Sequence, residues 1–167
     1  VLIGVTGWFV VGVVSAYAGG AVDLIVQRIV DAMMAVPGLI IVLAIMAVLG
    51  SSLNNVIIAI VIGMLAPVVR TVRSQVLSVK EMEYVVAARA IGAPSVRIIG
   101  RHLMPNCLAI YLILATYYLG FAIILEASLS FLGGGVPPDV PSWGGMLTAA
   151  AQAAARGVPA PTTRHPP

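Results

Sequence analysis

The chain has 167 residues, 60% of them hydrophobic and only 9% charged, with a net charge of +3 and a mean hydropathy of +1.08. A soluble domain carries about 25% charged residues to hold its surface in water, so a water-soluble globule is excluded. Residues 1–22, 32–69 and 102–125 hold no charge, and a bilayer core of about 30 Å is crossed by roughly 20 helical residues. The sequence therefore reads as an all-α, polytopic membrane protein. The longest segment of ordinary polarity, Arg70 to Arg101, leaves no room for a soluble catalytic domain. A single cysteine, Cys107, excludes a disulfide framework and a thiolate metal site, and its apolar surroundings read as packing. The basic balance reads as membrane topology, with no nucleic-acid partner.

In chain order, the first apolar run is Val1 to Ala18, ended by Gly19-Gly20, a pair suited to a helix C-terminus. Within it Gly4, Gly7 and Gly12 are small enough for close helix contact. An amphipathic stretch follows, Val22 to Val36, in which Arg28 and Asp31 are spaced to meet on one helical face. Pro37-Gly38 opens the second span, to about Leu49, either as a new helix or as a continuation kinked at the proline. The uncharged turn 50–55 leads to a third span, Val56 to Val69, and the fourth runs from about Pro105 to Phe131. At 1.5 Å per residue that last run is about 39 Å long and must tilt or protrude. About four spans are thus expected.

The links on one side carry Arg28, and then Arg70, Arg73, Lys80, Arg89, Arg97 and Arg101; the links on the other side carry no Lys or Arg. That asymmetry makes the charged side cytoplasmic. Glu126, an ionisable group in or near the bilayer, falls close to the outer face, as a structural group or a pathway contact. Tyr111, Tyr117 and Tyr118 read as packing or interfacial residues. Residues 1–150 read as a transmembrane domain. Residues 151–167, rich in Ala, Pro and Thr, read as a disordered tail or a translation that has left the true frame. The start at Val1, inside an apolar run, reads as a fragment lacking its N-terminal part.

The link from Val76 to Pro105 carries the most information. Its first half has strong helix formers. Gly92-Ala93-Pro94 then breaks it, and Ser95 to Met104 reads as a second short helix with Val96, Ile98, Ile99 and Leu103 as its apolar residues. Two short helices meeting at a glycine make a compact cytoplasmic knob.

This segment resembles the EAA signature of ABC-importer permeases, E-A-A, three residues, G, nine residues, then I-x-L-P. Here Val86-Ala87-Ala88 is followed by Gly92 and Pro105 at that spacing. More narrowly, EYVVAARAIGA, RHLMPN, LEASLSFLG and VPPDVPSWG resemble the C-type subunit of the dipeptide, oligopeptide and nickel permeases. Three positions depart from the signature: Val86 stands for its glutamate, His102 for its isoleucine and Met104 for its leucine. The large outer loop, the family's first span and a recognisable sixth span are not seen.

The resemblance implies the type I importer permease fold in the inner membrane of a bacterium or archaeon. It implies a transport subunit and not an enzyme, forming half of a path for peptides or nickel. The partners implied are cytoplasmic ATP-binding subunits, a second permease subunit in a heterodimer, an extracytoplasmic solute-binding protein and membrane lipid. By the same resemblance Glu83, Ala87, Ala88 and Gly92 form the ATPase-docking surface, with Arg89, Arg97 and Arg101 around it. The chain has no G-x-x-x-x-G-K-[ST], so ATP is expected on the partner, and no catalytic, cofactor or metal-binding residue is expected here. The competing classes are an ion-coupled secondary transporter, for which Glu126 alone could serve as a relay, and an intramembrane protease, for which the spans lack a histidine.

Overall fold

The computed structural model describes residues 1–133, 135 and 142–156, and among these every regular element is helical. Ten helices occur in order: α1 (Leu2–Ala18), α2 (Gly20–Met34), α3 (Gly38–Leu49), α4 (Leu53–Gly63), α5 (Leu65–Lys80), α6 (Glu83–Ala90), α7 (Ser95–Ile98), α8 (Met104–Asn106), α9 (Leu108–Phe131) and α10 (Trp143–Ala155). A π-helical turn, Ile99–Leu103, joins α7 to α8.

Among the described residues two units are long and apolar enough to cross a membrane, the 28-residue stretch Leu53–Lys80 and the 24-residue α9. The pair α2 and α3 is bent by 88°, a broken span or a re-entrant hairpin, and α1 is a shorter apolar helix of 17 residues. All four expected apolar runs are therefore helices, but with different boundaries. The third does not end at Val69. It continues as α5 to Lys80, so Arg70 and Arg73 lie on the helix and not on a link.

Prolines set the breaks. Pro37 lacks an amide and disfavours helix in the residue before it; it caps α3 with an extended ψ of 132°, and its carbonyl accepts from the Ile40 and Ile41 amides. Pro67 would interrupt a continuous helix. The chain resets at Met64 so that Pro67 falls in the first turn of α5, where no amide partner is required. The turn between α3 and α4 is closed by side chains. Ser52 Oγ accepts from the Asn55 amide, and Asn55 Nδ2 donates to the carbonyls of Leu49 and Gly50. These are the orphan groups that a helix end leaves, and water is scarce in lipid to satisfy them.

The core is organised on α1. Val5, Phe9, Val13 and Ala16 form one buried stripe, facing Val68, Val72, Val76 and Val79 of α5. The two helices run parallel: Gly4 lies against Val61, Gly12 against Val72 and Gly19 beside Lys80. Parallel packing places α2–α3 between them as the return crossing, as alternating spans require. Trp8 Nε1 donates to the Val61 carbonyl at 2.8 Å, in the last turn of α4 where carbonyls lose their in-helix partners. On the other side of α1, Phe9 meets Tyr111 edge-on, and the Thr6 and Tyr111 hydroxyls lie 2.9 Å apart. Cys107 is wholly buried at the break before α9, a packing position.

Gly19-Gly20 ends α1 as expected, with Gly19 at a φ of +65°. The tail boundary differs, because α10 is helical through 151–155; the remainder of the expected tail, from residue 157, lies outside the described residues, as do 136–141 of the VPPDVPSWG segment.

Glycine spacing makes a prediction. A methyl group on Gly12 would sit 3.0 Å from Val72 Cβ and 3.3 Å from the Val69 carbonyl oxygen, whereas one on Gly7 would meet nothing within 4 Å. Gly12→Leu should therefore destabilise the α1–α5 contact by about 1–3 kcal/mol. Gly7→Leu should leave it unchanged. Thermal unfolding midpoints of both variants in detergent check this.

Candidate functional site

The knob begins where α5 stops. Lys80 is its last residue, Glu81 and Met82 turn the chain, and α6 starts at Glu83 with Met82 in an extended conformation. The sequence suggested one helix through this stretch. The structure breaks it two residues before Glu83, which places that carboxylate in the first turn of α6, where a helix dipole favours it.

The end of α6 is a Schellman motif. The Gly92 amide donates to the Arg89 carbonyl at 2.9 Å and the Ala93 amide to the Ala88 carbonyl at 3.1 Å, with Gly92 at a φ of +75°. That backbone state costs an ordinary L-residue roughly 1–2 kcal/mol, so the signature glycine is required by the turn itself. Pro94 caps α7, its carbonyl accepting from the Arg97 and Ile98 amides. Pro105 has no amide to return to the preceding turn, and the helix widens into the π turn Ile99–Leu103. Asn106 Nδ2 then donates to the His102 carbonyl at 2.6 Å.

Of the residues expected on the docking face, Glu83, Ala87, Arg89, Gly92, Arg97 and Arg101 are exposed. One needs correction. Ala88 is buried, 8% exposed, and packs inward with Val85 and Ile98. Arg89 is turned back toward the bundle, its guanidinium 5.5 Å from the centre of the Tyr17 ring on α1. The helical period puts Val85 and Ala88 on one face, a pattern that reading the signature as a unit obscured. The structure also exposes what the pattern did not single out: Ile91 is 85% exposed and Val96 83%, on either side of Gly92-Ala93-Pro94. Of the apolar residues of that second helix, Ile98 and Leu103 are buried and Val96 is not. Val86, at the signature glutamate's position, is also exposed.

The knob is tied into the bundle through Ile98 and Leu103, both buried in the main core, and its own two halves meet at Tyr84, whose ring lies 6.0 Å from that of His102. Close by, α2 is clamped to α5. Arg73 grips Asp23 with Nε and Nη2, at 2.9 Å to Oδ1 and at 3.0 and 2.7 Å to Oδ2. Asp31 pairs with Arg70 at 2.6 Å, and not with Arg28 as the helical spacing suggested. A partner on another helix lies outside what local periodicity can reveal.

Two further features complete the geometry. At the α2–α3 elbow a cavity of about 360 Å³ is lined by Met34, Pro37, Met64, Tyr117, Tyr118 and Phe121 among others. Glu126 lies near the end of α9, where it accepts a hydrogen bond from Ser130 Oγ at 2.8 Å. Gly144 of α10 packs so closely on Ser130 and Ala127 that any side chain there would collide with both. Among the described residues no group of three or more His, Cys, Asp or Glu could hold a metal ion.

Comparison with known proteins decides the family. Residues 9–160 match the binding-protein-dependent transport system inner membrane component family. The chain belongs to that family of transporter permeases. It is 42% identical over 137 residues to the dipeptide transport system permease protein DppC of Alkalihalophilus pseudofirmus, covering 82% of this chain and 45% of that protein. It is 36% identical over 150 residues to the glutathione transport system permease protein GsiD of Pectobacterium atrosepticum, covering 90% and 50%. With the Escherichia coli GsiD it shares 40% identity over 134 residues, covering 80% and 44%. The chain thus spans about half the length of the curated relatives it matches. The membership accounts for a multi-pass, helical, membrane-embedded chain.

The Asp23–Arg73 clamp is testable. Its side chains are 12% and 33% exposed, and removing one partner of a largely buried pair costs about 3 kcal/mol or more. Asp23→Ala and Arg73→Ala should each lower the unfolding midpoint sharply. The exchange Asp23→Arg with Arg73→Asp should restore part of the loss, and a double-mutant cycle in detergent measures the coupling.

Proposed function

We propose that this chain is a permease subunit of an ATP-driven importer in the inner membrane of a bacterium or archaeon. It forms half of a translocation path for a peptide-like solute and receives the work of cytoplasmic ATPase subunits through its knob. A second permease subunit supplies the other half, and an extracytoplasmic solute-binding protein delivers the solute; ATP is bound and hydrolysed on the partners. Relatives named for peptide, dipeptide and glutathione transport favour a short peptide over nickel.

The observation that carries this reading is the continuity from the knob to the membrane. From Ser95 the helical path passes through the π turn and α8 into α9, broken only at Cys107. The exposed tip of Ile91, Gly92 and Val96 is thus fixed to the helix whose Tyr117, Tyr118 and Phe121 line the elbow cavity. A partner that seats the tip and moves it would move α9 and, through the core contacts of Ile98 and Leu103, α1 and α5. Coupling is then a shift of population between inward-open and outward-open states. Docking on this reading is apolar at Ile91 and Val96 and polar at its margin, with Glu83, Arg97 and Arg101.

Ile91→Asp with Val96→Asp should abolish co-purification with the ATPase subunits while membrane insertion stays intact. Gly92→Leu should act in the same direction by straining the turn. Retention of the ATPase by the double variant would refute knob docking. Transport that persists in these variants and collapses with the proton gradient would instead favour an ion-coupled carrier.

A further inference from the structure

The charged end of the bundle holds a second concavity, distinct from the elbow cavity and from the knob's exposed tip. Lys80 at the end of α5, Arg89 of α6, Ser95 of α7 and Tyr17 of α1 surround a hollow of about 440 Å³, with Val14 and Ile99 among its apolar walls. Two cations, a phenol and a hydroxyl therefore share one site, and no acid lines it.

Among the described residues no carboxylate is paired with the positive charge there. Neither Lys80 nor Arg89 forms an ion pair among the described residues. The acid facing Lys80 from α2 is Asp23, and both of its oxygens are held by Arg73. Glu81 and Glu83, on the neighbouring turn, do not line the hollow. Arg89 is held over Tyr17, so its charge is kept at the bundle side of the knob. Beyond the hollow the exposed face of α1 is apolar, with Val14, Val11 and Val10 each more than a third exposed. A cationic pocket opening onto an apolar helix face at the membrane surface matches a phosphate joined to acyl chains.

We propose that this hollow binds the headgroup phosphate of an anionic phospholipid, held by Lys80 and Arg89, with its acyl chains along Val14 and the α1 face. The site would pin the joint between α5 and the knob to the bilayer surface. Free phosphate shares the headgroup's chemistry, and the experiment separates the two.

The protein, extracted in mild detergent with whatever subunits accompany it, is titrated with phosphatidylglycerol, with zwitterionic phosphatidylcholine and with inorganic phosphate, and the thermal unfolding midpoint is read. Phosphatidylglycerol should raise the midpoint saturably where the other two do not. With about 1 kcal/mol per cation at a membrane surface, Lys80→Gln with Arg89→Gln should raise the half-saturating concentration about thirtyfold. Arg28→Gln, an exposed cation off the hollow, should titrate like the wild type. Should the double variant not fold, Lys80→Gln alone and Val14→Trp, which fills the hollow, are read in the same titration. An unchanged response in the pocket variants, no response to phosphatidylglycerol, or an equal shift from millimolar phosphate would overturn the lipid assignment.

Discussion

Every break in a membrane helix strands backbone groups that lipid will not satisfy, and this chain breaks its helices at four prolines. Pro37 makes the elbow, Pro67 forces the reset at Met64, Pro94 opens the second knob helix, and Pro105 lies behind the π turn. Near two of these breaks a side chain supplies a bond, Trp8 to the Val61 carbonyl and Asn106 to the His102 carbonyl, and at the proline-free turn after α3 Asn55 does the same. The rest of the architecture follows from where those repairs are possible. The elbow faces the reset in α4–α5, and the cavity lies in the angle they leave with α9.

The close approach of α1 to α5 follows the same logic of exclusion. Lipid gives no hydrophobic reward for bringing two apolar helices together, so packing quality decides. Glycine at positions 4 and 12 lets Val61 of α4 and Val72 of α5 reach the α1 backbone. The β-branched side chains that face them are stiff and so fit without losing much freedom. The charged pairs then act on a different helix pair, α2 with α5, where one carboxylate is nearly enclosed and the guanidinium matches it with two nitrogens.

Much of this was legible in the sequence. Charge-free stretches marked the apolar helices, Gly19 and Gly92 marked turns of positive φ, and Pro37 marked the elbow. These are local signals, written in a few adjacent residues. What escaped was set by tertiary partners. Asp31 chose Arg70 over Arg28, Ala88 turned inward although the signature suggested a surface, and Arg89 folded back onto Tyr17. The exposure of Ile91 and Val96 escaped for the opposite reason. An apolar residue in a membrane protein is normally counted toward a core, and only the fold reveals one left at a tip.

The bidentate clamp also has a bearing on how the chain is made. Asp23 and Arg73 are separated by 50 positions, and ribosomes add about 5–20 residues per second. The carboxylate therefore emerges roughly 2.5–10 s before the guanidinium that neutralises it. Until then the α2 carboxylate lacks the guanidinium that grips it in the folded chain. The bond between α2 and α5 is thus one that only a chain already synthesised through α5 can close.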